Sequence, residues 1–309
     1  MSKELLQKTL HLASGSPYVW TLYFFKIDRR SAQPYIVHKK RFRNNSDLQS
    51  YANALIKSID AFQLTPVEKI QLYTGENSKI SCDKISLNND LIKDTWESLY
   101  NGLRNPSDKA ITGKYHGYIL TGVPSDWNFS SVTFIKMCNP IVDFKKQKHI
   151  VFRYSTEDEL CSVSDELCRL YMNTDMIIIE DSLYSFNLNM EKLFNMEKTM
   201  QKIKNQSINL LSNTNAFSDN KLFVKYANSY SSARTFLTLN PERLEKLYHK
   251  KTRKEIANTL GLKIDKHGLL FLRSKQDVSL IIRYICFKIF KDDETKDLLE
   301  ATNVSKITL

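Results

Sequence analysis

Lysine and arginine, the side chains that bind phosphate groups, are concentrated in the last third of the 309-residue chain. Residues 220–291 contain 16 Lys and Arg but only five Asp and Glu. That excess equals the net charge of the whole chain, +11, so the remaining residues are neutral overall. Because charge of one sign in one region attracts polyanions, the sequence predicts a surface for DNA or another polyanion in this third.

One predicted helix in this region carries six of the ten cations that are candidates for DNA binding. Asn240 suits the N-cap, Pro241 suits the first turn and Gly261 suits the C-terminus, which predicts a helix over residues 241–260. At 100° per residue, five cations fall in a sector about 100° wide, opposite to the apolar stripe. The cations are Arg243, Lys246, Lys250, Arg253 and Lys254, and the stripe is Leu244, Tyr248, Ile256 and Leu260.

A predicted hairpin over Leu262–Leu272, turning at Asp265–Gly268, extends this basic surface. We expect phosphate contacts with a steep salt dependence, and charge reversal at Lys250 and Arg253 is predicted to weaken DNA binding without unfolding the chain. The candidate DNA-binding residues are Arg243, Lys246, Lys250, Lys251, Arg253, Lys254, Lys263, Lys266, Arg273 and Lys275.

Three alternatives concern the same chemistry. The basic face of the helix is also compatible with a simple solvated surface. A second basic patch, Lys39–Arg43, ends a predicted strand. Aromatic side chains either stack on single-stranded DNA or pack in the core, and these are Tyr226, Tyr230, Tyr248 and Phe271.

Catalytic and metal-binding patterns are weak by comparison. Asp126 followed by Asp143-Phe144-Lys145 has the outline of a metal-dependent nuclease, but acidic-x-Lys triplets are no more frequent than random placement gives. Glu180-Asp181 suits either a carboxylate site or a hairpin turn. No phosphate-binding glycine motif, Cys-x-x-Cys pair or His-x-x-x-His pair occurs. We therefore expect no cofactor, no metal and no catalytic residue.

The elements that position these residues predict an α+β fold, with antiparallel strand pairs and hairpins packed against helices and a mainly helical C-terminal third. A soft boundary divides residues 1–145 from residues 146–309, which together can also form one packed unit. Predicted strands are Tyr18–Asp28, Tyr35–Phe42, Lys69–Thr74, Tyr115–Val123, Val132–Met137, His149–Tyr154, Arg169–Met172, Met176–Glu180 and Leu183–Phe186. Predicted helices begin near Asp47, Leu91, Leu188 and Gln276.

The most apolar run, Leu280–Phe290, has 11 residues and includes two cations. A membrane span needs about 20 apolar residues, so this run predicts a core helix or a self-association surface instead. The scattered cysteines are typical of buried thiols in a reducing compartment, which predicts a cytoplasmic protein.

Two stretches resemble a bacterial family. Leu170–Ile179, followed by Leu183–Phe186 and Met190–Phe194, and then Glu255–Gly268 before a last amphipathic helix, resemble the B component of the Kiwa anti-phage defence system. The similarity covers residues 150–305 and consists of apolar patterns and a hairpin. No catalytic residue of the family can be matched.

The resemblance implies a cytoplasmic DNA-binding effector that works with a multi-span membrane protein, Kiwa A, at the inner membrane face. It implies interference with phage DNA replication and late transcription, and we also expect a homo-oligomer. The alternatives are a metal-dependent nuclease that acts on phage DNA and a non-enzymatic scaffold that binds an acidic partner or an anionic membrane surface.

Overall fold

Two compact units make up the chain. The first comprises Met1–Tyr73 and Asn77–Asn195, and the second comprises Thr74–Glu76 and Met196–Leu309. The structure, a computed structural model, describes residues 3–15, 18–31, 34–40, 45–75, 81–107, 115–126, 129–138, 152–154, 160–162, 170–292 and 298–300.

The first unit combines strands and helices. Its described strands are β1 (Tyr18–Ile27), β2 (Tyr35–Lys40), β3 (Lys69–Leu72), β4 (Ser81–Ser86), β5 (Gly117–Pro124), β6 (Val132–Met137), β7 (Phe152–Tyr154), β8 (Leu160–Ser162), β9 (Met176–Ile179) and β10 (Ser182–Ser185). Its described helices are α1 (Lys3–Gly15), α2 (Asn45–Ser58), a π-helix (Ile59–Leu64), α3 (Lys93–Arg104) and α4 (Asn189–Leu193).

Eight of these strands form one sheet in the order β2-β1-β5-β6-β9-β10-β4-β3. All neighbouring pairs are antiparallel except β3 and β4, which are parallel. Alternate side chains of β1 are buried, as the period of two in a strand requires. They join one core cluster with helical side chains, and its members include Leu6, Leu10, Trp20, Leu22, Phe24, Leu55 and Phe134.

The predicted hairpin between residues 176 and 186 completes this sheet. β9 pairs with β10 across the two-residue turn Glu180-Asp181, in which Glu180 has φ 55°. β9 also pairs with β6, and β10 also pairs with β4. Because these strands lie between strands from before residue 145, the compact units divide after Asn195 rather than near residue 145.

The second unit is mainly helical. Its described helices are α5 (Met196–Asn213), α6 (Asn220–Asn228), a 3₁₀ helix (Ala233–Thr238), α7 (Pro241–Glu245), a 3₁₀ turn (Lys246–Tyr248), α8 (Lys250–Leu260) and α9 (Lys275–Ile285). Its described strands form two hairpins, β11 (Lys263–Ile264) with β12 (Leu270–Phe271) and β13 (Ile289–Lys291) with β14 (Leu298–Glu300).

The core of the second unit contains the apolar run that begins at Leu280. Leu280, Ile281, Ile282 and Ile285 of α9 are at most 5% exposed. They pack in one cluster whose other members include Leu211, Phe223, Phe236, Leu247, Ile256, Leu260 and Leu270. Burial in the core therefore accounts for these four side chains, whereas Phe287 and Phe290 of the same run are 49% and 39% exposed.

The predicted α+β class is confirmed, since the described residues combine helices with mainly antiparallel strands. Three elements differ from the sequence prediction. β4 is not predicted, since its Ser-Cys-Asp-Lys-Ile-Ser sequence has low strand propensity, which burial between two strands overrides. Residues 170–175 contain no strand, and Arg169 lies outside the described residues. The predicted last helix ends at Ile285, and β13 follows where the prediction continues the helix. Within the described residues, no helix combines the length and the hydropathy that a bilayer span requires.

Candidate nucleic-acid interface

The basic segment 241–260 is not the single helix that the sequence predicts. The Asn240 Oδ1 atom accepts a hydrogen bond from the Arg243 N–H at 2.7 Å, so the predicted cap is confirmed. The helix then breaks at His249, whose φ and ψ of −106° and 131° are extended. The Thr252 hydroxyl donates to the carbonyls of Lys246 and His249, which stabilises the break.

The end of α8 and the hairpin agree with the prediction. Gly261 adopts the left-handed conformation at φ 66°, and the Leu262 N–H donates to the Ala257 carbonyl at 2.8 Å. This pattern is the one that commonly terminates helices at a glycine. β11 and β12 then form a two-stranded hairpin whose turn ends at Gly268, with φ 80°.

Arg253 is buried, so its predicted place on the exposed basic face is wrong. Its side chain is 8% exposed and lies on the same side of α8 as Ile256 and Leu260. The guanidinium Nε donates to the Gly268 carbonyl at 2.9 Å. Its Nη1 donates to the carbonyls of Leu247 and Tyr248, at 2.8 Å and 3.1 Å. Arg253 therefore ties α8 to the hairpin turn on one side and to the preceding 3₁₀ turn on the other.

Arg243 is also held within the second unit. Its guanidinium carbon lies 4.4 Å from the ring centroid of Tyr284 and 3.8 Å from that of Phe287. Its Nη1 donates to the carbonyls of Tyr284 and Ile289. Burial lowers the pKa of this guanidinium from its ordinary value. These contacts anchor the end of α9, which leaves the side chain poorly placed for a DNA phosphate.

Arg273 is neutralised by a neighbouring carboxylate. Its Nε and Nη2 atoms each lie 3.2 Å from an oxygen of Asp277, and its backbone N–H donates to Asp277 Oδ2 at 2.8 Å. Asp277 is buried, so this ion pair is only partly screened by water. The ion pair leaves little of the Arg273 charge available to DNA.

We refer to the remaining candidates together as the lysine surface. All of its members are exposed, and no hydrogen bond or ion pair joins their ammonium groups to another residue of the described chain. The lysine surface consists of Lys246, Lys250, Lys251, Lys254, Lys263, Lys266 and Lys275.

Lys250 brings two parts of this surface together. Its aliphatic carbons occupy the space beside Gly268, where an added Cβ would lie 2.5 Å from Lys250 Cε. The positive φ of 80° favours glycine at this position, and any larger residue would also displace the Lys250 stem. The stem of Lys250 therefore packs against the hairpin turn that contains Lys266, while its residue remains exposed.

Acidic side chains near the lysine surface reduce its charge but do not cancel it. Glu242, Glu245 and Glu255 are exposed. Asp265 accepts hydrogen bonds from the backbone N–H groups of Leu269 and His267, at 2.8 Å and 2.9 Å. The Leu269 N–H contributes most to lowering the pKa of Asp265, which keeps this carboxylate ionised in the turn.

The aromatic candidates separate into two groups. Tyr226 and Tyr230 pack against the core, which agrees with the alternative that these aromatic side chains belong to the core rather than stack on DNA. Tyr248 is 51% exposed and Phe271 is 45% exposed. Phe271 pairs with Lys263 across the hairpin, so an aromatic ring and an ammonium group are both exposed on it.

The other proposed sites are less favourable. The ammonium group of Lys40 lies over the rings of Phe24 and Tyr115, so its charge is stabilised by cation–π contacts within the first unit. Arg41–Arg43 lie outside the described residues. Asp143 and Lys145 of the nuclease pattern also lie outside them. Glu180 accepts a hydrogen bond from Ser130 Oγ in an exposed turn. Among the described residues, no group of three or more potential metal ligands occurs.

A comparison with protein families assigns the chain. The family model described as Kiwa protein KwaB-like matches residues 128–295, which is more than half of the chain. The chain belongs to this family. It is therefore a component of the bacterial Kiwa anti-phage defence system, and the resemblance noted in the sequence is confirmed. No curated protein and no solved structure matches the chain.

Proposed function

We propose that this Kiwa component is a DNA-binding effector that acts in the bacterial cytoplasm without catalysis of its own. It binds the phosphate backbone of phage DNA and thereby impedes replication and late transcription. The observation that supports this proposal most directly is the lysine surface, whose seven exposed ammonium groups have no ion pair within the described part of the chain.

The lysine surface predicts how strongly salt should affect binding. Each phosphate contact lowers the logarithm of the binding constant by about 0.9 per tenfold increase in salt. If four of the lysines contact phosphates, the affinity should fall about 150-fold between 50 and 200 mM salt. A surface that meets DNA only incidentally would give a much smaller slope.

Charge reversal provides the test. The variant Lys251→Glu/Lys254→Glu changes two exposed residues of α8, and Lys57→Glu/Lys93→Glu makes the same charge change at exposed positions of the first unit. Binding to a short DNA duplex is measured by fluorescence anisotropy over a salt series. We expect a large loss of affinity and a smaller salt slope for the first pair only. Equal losses for both pairs would mean that only the net charge matters, which would contradict this surface.

The same samples separate two other functions. Incubation with plasmid and Mg²⁺ tests for cleavage, and we expect intact DNA. Competition with anionic liposomes tests for a membrane-binding surface, since clustered lysines also attract anionic lipid. If liposomes displace DNA at equal phosphate concentration, the lysine surface binds lipid at least as well, and the proposal is wrong about its ligand.

The proposal includes a membrane-embedded partner and self-association. Co-expression with the membrane component of the same defence system, followed by purification through a tag on that component, should recover this chain. The mass of the purified chain, measured by light scattering, should exceed that of a monomer of 36.0 kDa.

A further inference from the structure

One side of α8 presents unpaired polar groups of more than one kind. Opposite the buried side of this helix, four exposed residues are spaced as i, i+3, i+4 and i+7, so they lie in one stripe. None of their side chains has a hydrogen bond or ion pair within the described residues. The residues of this stripe are Lys251, Lys254, Glu255 and Asn258.

These side-chain types are the ones that recognise base edges in the major groove. Lysine donates to guanine O6 and N7, asparagine pairs with adenine N6 and N7, and glutamate accepts from cytosine N4. Glu255 carries a further implication, because a carboxylate within a stripe that only follows phosphates would be repelled by them. Lys251 lies one turn before Glu255, yet no ion pair between them is present.

Resting on the proposed function, we infer that α8 enters the major groove of duplex DNA. Its 11 residues span about 16 Å, and a helix with side chains is about 10–12 Å across, which matches the major groove width of about 12 Å. Lys251, Glu255 and Asn258 then face the base edges, whereas Lys254, at the edge of the stripe, faces the phosphates of a groove wall together with the lysines beside the helix.

Arg253 fixes the two turns that lie beside α8. Its hydrogen bonds hold the hairpin turn at Gly268 and the 3₁₀ turn at Leu247 against the first turns of α8. Lys266 belongs to the hairpin turn, and Lys246 belongs to the 3₁₀ turn. Arg253 is therefore a positioning residue, which sets where these lysines stand when the helix is in the groove.

The test compares duplexes whose major grooves are open, filled or too narrow for a helix, while the number of phosphates stays the same. The full chain is titrated with a duplex that contains cytosine, with the same duplex containing glucosylated 5-hydroxymethylcytosine, and with an RNA duplex of the same sequence. The glucose fills the DNA major groove, and the major groove of RNA is too deep and narrow for a helix. We expect both changes to weaken binding by about tenfold or more.

A neutral substitution adds a second measurement. Asn258→Ala is compared with Asn209→Ala, which alters an exposed asparagine of α5. Each protein selects duplexes from a pool with randomised positions. We expect Asn258→Ala alone to lose an adenine preference that the unaltered chain shows, while its salt slope stays the same.

The outcomes separate this inference from the proposed function. Equal binding of plain DNA, glucosylated DNA and RNA duplexes would overturn the groove assignment and leave phosphate binding intact. Absence of binding to any of the three would overturn both. A selected pool that is the same for Asn258→Ala and the unaltered chain would exclude Asn258 from base recognition and contradict the inference.

Discussion

Arg253 and Lys254 are adjacent in sequence, yet the same substitution should lower the stability of the protein at Arg253 and its DNA affinity at Lys254. Arg253→Met removes a buried guanidinium that donates to three backbone carbonyls. Lys254→Met removes an exposed ammonium group that has no bond within the described residues. Methionine preserves much of the aliphatic volume in both cases, so the comparison isolates the polar head groups.

The expected magnitudes follow from burial. Two of the Arg253 hydrogen bonds are buried, and each acceptor left without a partner costs about 1–3 kcal/mol. Arg253→Met should therefore lower the free energy of unfolding by about 3 kcal/mol. Lys254→Met should change it by no more than about 0.5 kcal/mol, which is typical of surface sites. Losing one phosphate contact should reduce the DNA affinity of Lys254→Met roughly eightfold at 0.1 M salt and the salt slope by about 0.9.

Urea unfolding and salt-dependent anisotropy measure these two effects separately. Arg253→Lys serves as a conservative control, because one ammonium group retains the charge but does not reproduce the fork that reaches both sides of α8. We expect its stability to lie between those of Arg253→Met and the unaltered chain. If Arg253→Met unfolds at the normal urea concentration and loses one phosphate contact, Arg253 is an exposed DNA ligand and our assignment of its role is refuted.

Two further predictions concern buried groups. Lys204→Met should lower the free energy of unfolding of the second unit by about 2–4 kcal/mol, because the buried ammonium group donates to the carbonyls of Asn228 and Tyr230. Lys202→Met, on the exposed side of α5, should have little effect when both variants are compared by urea unfolding. Burial raises the pKa of Cys82 and of Cys286 to about 12. When the native protein is treated with iodoacetamide at pH 8 and its peptides are analysed by mass spectrometry, both thiols should therefore be unmodified. Rapid labelling of either thiol would contradict its burial.

Local sequence patterns determine much of the fold of this protein. The apolar alternation of β1, the Glu180-Asp181 turn, the Asn240 cap and the Gly261 terminus each depend on a few neighbouring residues, and the sequence predicts all of them. The segregation of basic residues is also a property of the sequence alone. It indicates the third of the chain in which the lysine surface lies.

Tertiary contacts decide which of the predicted cations are exposed. Arg253 lies at the edge of the predicted basic sector, about 20° from Leu260 at the edge of the apolar stripe, so its burial is compatible with the spacing. Its acceptors, however, come from a hairpin turn and a 3₁₀ turn that a helical wheel does not contain. Arg243 depends in the same way on the rings of Tyr284 and Phe287, whereas the partner of Arg273 is Asp277, only four residues further along the chain. The position of β4 likewise requires two neighbouring strands. Charge and periodicity belong to the sequence, whereas the partners that bury Arg253 and Arg243 are determined only when distant segments pack together.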